Sequence, residues 1–377
     1  MFMLGTILFC SILLLLVYIY ILYPLIIYAF PSKIKVKNTN DYYFPQLTVI
    51  IPAYNEEQNI ETKVENILGV DYPQDKIEVI VGSDNSMDRT NTILANYRNP
   101  RLRYCLFSTK VGKNALINEL TEQAKGEIVV VSDADVTINR DALRLLARHF
   151  HDPKVGAVCG KRGNQEARSG RGFLGGALYN IYESSLKQGE GRLLSVIGGD
   201  GALYAFRKKL FSTLDLTAPD DLLTILRILA KGYGVGYETG AVAYEKVSTS
   251  IKEDFLRKMR TVARGITGIW LSKELLNPFH HPLTCFQIVS HKILRWLTFV
   301  LLCLLLILNL LLIEGTVYSF LLWPQIVFYA LAMLGGIFYL LNVRSSLFYL
   351  PFYFLAINLS ATLGIVEFFR GRAKASW

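Results

Sequence analysis

This chain has too few cysteines to be held together covalently: five in 377 residues, at Cys10, Cys105, Cys159, Cys285 and Cys303. They share no paired spacing, so neither a disulfide framework nor a zinc site is indicated. The charged middle of the chain has no internal repeat and no low-complexity linker, and it reads as one unit of ordinary domain size. Charge is missing altogether from residues 4–30, a run longer than the roughly 20 residues a helix needs to cross hydrocarbon. No basic residue precedes that run, and its apolar part exceeds the core of a cleaved signal, so an uncleaved membrane anchor is expected.

What is present divides into two materials. The chain is 52% hydrophobic, too apolar for an ordinary soluble protein, while its middle is too charged for a bundle of spans. Lys33, Lys35 and Lys37 follow the anchor, and cations just past a span mark the cytoplasmic side. The net charge of +9 fits anionic lipid headgroups beside the membrane-adjacent segments. Nothing resembles a base-reading module, so nucleic acid is not an expected partner. Three more apolar segments, 294–313, 320–341 and 347–369, are each long enough to span. If all cross, the tail lies outside, whereas Arg370, Arg372 and Lys374 belong in the cytoplasm. The two demands conflict unless one segment is re-entrant or interfacial. The expected division is an anchor at 1–30, a cytoplasmic domain at 31–278, and an interfacial helix with about three membrane segments at 279–377.

Within 31–278, apolar runs at 47–52, 77–81, 103–107 and 128–131 alternate with helical patterns at 56–68, 89–97 and 113–125. Short buried strands alternating with helices imply an α/β fold with a parallel, doubly wound sheet. Ligands bind such sheets at the carboxyl ends of the strands. There stand Pro52-Ala53-Tyr54-Asn55-Glu56, Gly82-Ser83-Asp84 and Asp133-Ala134-Asp135. Singly, each reads as an ordinary turn or helix cap; together they share one edge. Asp133 and Asp135 would repel each other without a cation between them. A hard divalent ion that also binds a substrate diphosphate fits that place.

From about residue 47 to 265 the sequence resembles the family 2 glycosyltransferases of the GT-A type, in particular their membrane-embedded branch that makes cellulose, chitin, hyaluronan and poly-N-acetylglucosamine. The resemblance implies that the Pro52-to-Glu56 motif binds the nucleotide, with Ala53, Tyr54 and Glu56 holding base and ribose. Asp84 would accept a hydrogen bond from a uracil imide, although Ser83 stands where that family often has an aspartate. Lys110-Val111-Gly112-Lys113, followed by Asn118, matches the segment that places a cation by the diphosphate. Asp133 and Asp135 match the metal motif for Mg²⁺ or Mn²⁺, Asp135 as the firmer ligand and Asp133 reaching the ribose or the ion. In Asp220-Asp221 the resemblance assigns the catalytic base to Asp221 and a supporting part to Asp220. A base must reach the proton of the attacking hydroxyl, but acidic residues at a helix start also serve its dipole. Val196 to Arg207, with Gly199 and Asp200, resembles the acceptor-side segment.

The sequence departs from that family at Arg257-Lys258-Met259-Arg260-Thr261. Processive synthases have Gln-x-x-Arg-Trp there, and Thr261 removes the aromatic platform for a sugar face. Arg257, Arg260 and Arg264 would instead neutralise a donor diphosphate or a lipid-linked acceptor phosphate. Phe255, Met259, Val262, Ile266 and Ile269 recur at helical spacing, and 282–296 mixes basic with apolar residues, as interfacial helices do. His280, His281 and His291 lack a completing carboxylate or cysteine spacing, so an interfacial role is expected rather than metal binding. The resulting expectation is metal-assisted, inverting transfer from a nucleotide sugar, a UDP-sugar by resemblance, to a growing polysaccharide or lipid-linked saccharide at the cell membrane. The alternatives are a polyprenyl-phosphate glycosyltransferase and a non-catalytic assembly scaffold, which would not need four carboxylates at one cleft.

Overall fold

The computed structural model describes residues 2–33, 42–164, 174–245, 250–341, 343 and 345–372; Lys35, Lys37 and Lys374 fall outside them. The segment expected as an anchor forms α1 (Phe2–Val17) and α2 (Tyr23–Ala29), joined by a π-helical turn at Tyr18–Leu22. Then β1 (Leu47–Ala53), α3 (Ile60–Leu68), β2 (Ile77–Ser83), α4 (Thr90–Asn96), β3 (Leu102–Leu106), α5 (Lys113–Gln123) and β4 (Ile128–Val131) alternate as the apolar pattern requires. Next come β5 (Thr137–Ile138), α6 (Ala142–Ala147), β6 (Val155–Asn164), α7 (Leu174–Arg192), β7 (Tyr204–Arg207), α8 (Asp220–Ala230), β8 (Gly234–Glu245) and α9 (Ile251–Trp270). The carboxyl-terminal part is α10 (Pro282–Gln287), a π-helical turn at Ile288–Ile293, α11 (Leu294–Trp296), α12 (Thr298–Leu311), α13 (Thr316–Leu340) and α14 (Ser346–Phe369).

One sheet holds all eight strands, in the order β3-β2-β1-β4-β7-β6-β8-β5. Its first four strands are parallel. The remainder is mixed, because β7 runs antiparallel to both β4 and β6. The parallel sheet expected from the runs at 47–52, 77–81, 103–107 and 128–131 is what β1 to β4 form; β7 reverses because the segment 196–201 already lies at the carboxyl edge, so the strand after it runs away from that edge. β1 is buried at every position, and its alternate side chains supply two cores. Val49 and Ile51 pack with Ile60, Val64 and Leu146, whereas Ile50 packs with Ile117, Leu120 and Leu223. No disulfide contributes, since all five cysteines are free.

Three helical segments are long and apolar enough to cross a membrane: Met3–Ala29, Thr316–Leu340 and Ser346–Phe369. A fourth exists if Pro282–Trp296 and Thr298–Leu311, bent by 62°, count as one. α12 lies antiparallel to α1: Tyr20 Oη donates to Thr298 Oγ1 at 3.1 Å at one end, and Leu312 packs on Gly5 and Phe9 at the other. α14, the segment expected at 347–369, is long and apolar enough to span and also packs against α9. It lies lengthwise and in the same direction along α9, with Tyr353 against Ile251 and Gly364 against Met259 and Val262. Its stripe of Ser360, Ala361 and Gly364 permits that close approach. α9 is in turn seated on the α/β domain, where Gly265 and Gly268 face Leu222 of α8. Arg370 and Arg372 therefore follow a helix whose end stays beside the α/β domain. A reporter fused to the carboxyl terminus should read the same side of the membrane as one placed in the α/β domain; opposite sides in a protease-protection assay would refute this packing.

Candidate active site

The edge begins with two loops stitched together. After β1, Asn55 adopts φ 57°, and its amide donates to Ser86 Oγ while Met87 N donates back to Asn55 Oδ1 at 2.8 Å. Glu56 N and Glu57 N reach Thr90 Oγ1 and Asp88 Oδ2. Pro52 and Ala53 themselves are buried in β1, so their expected part in donor binding is limited to shaping the backbone that presents Tyr54 and Glu56. Ser83 is buried and donates to Asn91 Oδ1 at 2.6 Å, which explains a hydroxyl at that position. Lys110 Nζ stands 3.6 Å from the centre of the Tyr54 ring, a cation–π contact.

Asp84 is fully buried. Its two oxygens accept the Val111 and Gly112 amides at 2.6 and 2.9 Å. A carboxylate with no exposed surface has none to offer a base, so the expected bond to a uracil imide gives way to a different role. Asp84 holds the loop that delivers Lys113. Gly112, at φ 91°, takes a backbone conformation that other residues rarely adopt, and α5 starts immediately after it.

At the start of α5, Lys113 Nζ lies 2.7 Å from Asp133 Oδ1 and 3.2 Å from Asp220 Oδ1. Burial opposes its charge, but Asp133 and Asp220 more than offset this and hold the ammonium above the ordinary lysine range. Asp220 Oδ2 also accepts from Tyr204 Oη at 2.9 Å. The supporting part expected of Asp220 thus has a geometry. Burial raises the Asp133 carboxyl above its usual range despite Lys113. It likewise raises Glu56, with the charges of Asp135 and Asp133 adding to the effect. Below the aspartate loop lies a lysine that pattern reading passed over: buried Lys63 donates to Ser132 Oγ at 2.7 Å and Val136 O at 3.0 Å. Burial pulls its pKa down to about 7. The signal was present, since Lys63 occupies the apolar stripe of Ile60, Val64 and Ile67.

Asp221 faces a cavity of about 320 Å³ lined also by Gly199, Asp200, Arg257, Thr261 and Trp296. Burial first, and then the like charge of Asp220, raise its carboxyl above the usual aspartate range. A Cβ at Gly199 would stand 2.8 Å from Asp221 Cβ, so glycine there makes room for the aspartate. The loop before it is clamped from both sides: Asn114 donates to Ala218 O, and Arg264 to Thr217 O and Ala218 O. Asp200 is one link in a chain of ion pairs. Arg162 reaches its Oδ1 at 2.7 Å, Lys187 stands 3.7 Å from Oδ2, Arg162 also holds Glu245, and Glu245 holds Arg257 at 3.0 Å. Arg260 is exposed and outside the cavity lining, which removes the observation that would have linked it to an acceptor. His291, expected at an interface, is instead buried between Glu190 at 2.6 Å and Glu183 at 3.1 Å.

Asp133 and exposed Asp135 fit a divalent ion that completes its shell with substrate oxygens. Among the described residues no group of three or more His, Cys, Asp or Glu side chains forms a cage, and Mg²⁺-type sites on diphosphates need only one or two carboxylates. Replacing Lys113 by Met would strand Asp133 and Asp220 as uncompensated charges. Loss of one partner from a fully buried pair costs about 3–5 kcal/mol, and solvent at partly exposed Asp133 brings the cost here below that range. Lys113→Met should therefore lower Tm in detergent, with part of the loss recovered in acid as Asp133 protonates; an unchanged Tm would remove Lys113 from the centre of the site.

Comparison with known proteins finds relatives in sequence and in fold. The glycosyl transferase family 2 profile matches residues 48–212. The chain is 37% identical over 119 residues to the beta-monoglucosyldiacylglycerol synthase of Synechocystis sp., covering 30% of this chain and 25% of that protein. It is 25% identical over 228 residues to the poly-beta-1,6-N-acetyl-D-glucosamine synthase of Staphylococcus aureus, covering 58% and 54%. It is also 27% identical over 236 residues to the probable glycosyltransferase YdaM of Bacillus subtilis, covering 59% and 55%. The chain spans about half the length of the last two and a quarter of the first. Its fold matches the mannosyltransferase PcManGT of Pyrobaculum calidifontis, solved with GDP-Man and Mn²⁺, at TM-score 0.71 and 21% identity over 97% of this chain and 99% of that one. The segment that carries Lys113, Asp133 and Asp135 is a family 2 glycosyltransferase domain on a GT-A fold.

Proposed function

We propose that this protein is an inverting glycosyltransferase that moves a sugar from a nucleoside-diphosphate donor to the hydroxyl of a membrane-associated acceptor. The observation that carries this reading is the pairing of adjacent aspartates with different surroundings: Asp220 bound to Lys113, and Asp221 turned to the cavity beside Gly199. The acceptor oxygen attacks the anomeric carbon from the cavity side as the bond to the diphosphate oxygen breaks. The electron pair leaves on the diphosphate, and the hydroxyl proton passes to Asp221. An ammonium has three donors; Asp133 and Asp220 take two, and the third remains for a phosphate oxygen. A divalent ion held by Asp133 and Asp135 would supply Lewis-acid stabilisation of the departing charge.

The motif resemblance favours a UDP-sugar, and the GDP-Man complex of the structural neighbour makes GDP-sugars the other arm of the test. Trp296, half-buried in the cavity lining, would supply from α11 the aromatic face that Thr261 lacks. Lys33 beyond the anchor, and Arg370 and Arg372 beyond α14, support a cytoplasmic placement of the domain at the cell membrane.

In purified protein supplied with UDP-, GDP- and dTDP-sugars, chelation should abolish nucleotide release and Mg²⁺ or Mn²⁺ should restore it; release that ignores chelator would exclude the metal role of Asp133 and Asp135. Asp221→Asn should reduce kcat by about a hundred- to ten-thousand-fold, the range of general-base catalysis, and a near-normal rate would hand the proton to another acceptor.

The pH dependence has a definite sign. Asp221 must be ionised to accept the proton, and burial with Asp220 raises its carboxyl, so activity should be lost on acidification with a midpoint above the ordinary aspartate value of about 3.9. Neutralising Asp220 in Asp220→Asn should shift that limb to lower pH; an unmoved limb would assign it to a different group.

A further inference from the structure

A second cavity, of about 480 Å³, adjoins the one that holds Asp221. Its outer part is lined by side chains of the apolar helices: Tyr20 of the anchor turn, Phe328 of α13, and Phe354 and Ala361 of α14. Its inner end is cationic. Lys258, Lys292 and Arg295 all line it, and Lys258, Lys292 and Trp296 also line the Asp221 cavity, so the two spaces meet at these side chains.

The charges at that junction do not cancel. Glu183 accepts from Arg295 at 2.8 Å and lies 4.0 Å from Lys292. Lys258 donates to Tyr179 Oη at 2.6 Å, and among the described residues no carboxylate stands within ion-pair distance of it. Three cations thus face one carboxylate, which His291 also contacts at 3.1 Å. The junction is also close to the reacting atoms. A Cβ at Gly198 would stand 2.8 Å from Lys292 Nζ, and one at Gly199 2.8 Å from Asp221 Cβ; consecutive residues carry the backbone from the cationic junction to the base.

We propose that the acceptor is an isoprenoid-type lipid bearing a phosphate-linked saccharide, with its chain in the aromatic cavity among the apolar helices, its phosphate at Lys258, Lys292 and Arg295, and its sugar hydroxyl at Asp221. This rests on the transfer reaction proposed above and selects the acceptor for it. The layout separates an apolar chain, an anion and a polar head in the order in which the three environments occur. A neutral soluble oligosaccharide leaves both the cations and the apolar cavity without a partner. The phosphate is bound as an anion and stays intact, while the attacking oxygen belongs to the saccharide beyond it.

Binding tests this without requiring turnover. With the full chain in nanodiscs, farnesyl phosphate should bind at least tenfold more tightly than farnesol, inorganic phosphate or phosphatidylglycerol. Lys258→Gln should weaken farnesyl phosphate at least tenfold and leave farnesol unchanged, whereas Lys258→Arg should retain most of the affinity. Ala361→Phe, which fills the aromatic cavity, should weaken farnesyl phosphate and farnesol alike. A nucleotide-induced rise in Tm that persists in each variant establishes that the variant is folded. Equal affinity for farnesol and farnesyl phosphate, an undiminished Lys258→Gln variant, or equal binding of phosphatidylglycerol would overturn the proposal, the last by reducing the cavity to a site for bulk lipid. A chain that turns over sugar nucleotide but fails these binding tests loses only this inference; a chain that passes them but turns over no sugar nucleotide loses the proposed transfer reaction instead.

Discussion

The ammonium of Lys113 is the constraint on which the site depends. Asp133 comes from the end of β4 and Asp220 from the start of α8, and each carboxylate lies within 3.2 Å of that single cation. Without it, buried Asp220 and partly exposed Asp133 would face each other across the cleft uncompensated, and the two halves of the domain would repel where they now join. Several features exist to place this one group. Asp84 holds the loop before it, Gly112 supplies the turn, and Asn114 ties the first turn of α5 to the loop that leads to Asp220.

The same arrangement sets the two adjacent aspartates apart. Asp220 spends its oxygens on Lys113 and Tyr204, so its charge is compensated. Asp221, one residue later, is left to the cavity and is pushed toward its neutral form by burial and by its neighbour. Two carboxylates of identical chemistry thereby have different surroundings, the division on which the proposed transfer reaction rests. Lys63 gives the aspartate loop a floor, which lets Asp133 keep its position while Asp135 remains exposed.

The cavity of Asp221 is not built by the α/β domain alone. Trp296 and Lys292 come from the segment after α10, and Tyr353 from α14, yet all line the cavity of Asp221. The carboxyl-terminal helices therefore wall the candidate site as well as supplying segments apolar enough to cross a membrane. α9 couples the two, since its small residues Gly265 and Gly268 seat it on Leu222 and Trp296 while its other side carries α14. Thr261 of α9 and Trp296 of α11 line the same wall of that cavity.

Local patterns alone determined much of this protein. Apolar runs of strand length, helical spacing in α3 and α5, and carboxylates at strand ends are properties of neighbouring residues, and they yielded the parallel half of the sheet and the positions of Lys113, Asp133 and Asp221. Pattern could not distinguish what a polar side chain touches. Asp84 looked like a ligand and is a buried loop anchor, Asp200 is tied to Arg162, Arg260 lies outside the cavity lining, and α14, apolar enough to span, has α9 as its partner. Only the tertiary structure decided these, because an ion pair, a buried carboxylate or a helix's partner depends on segments that meet in space after the chain has closed, and no spacing along the sequence encodes which charge will arrive.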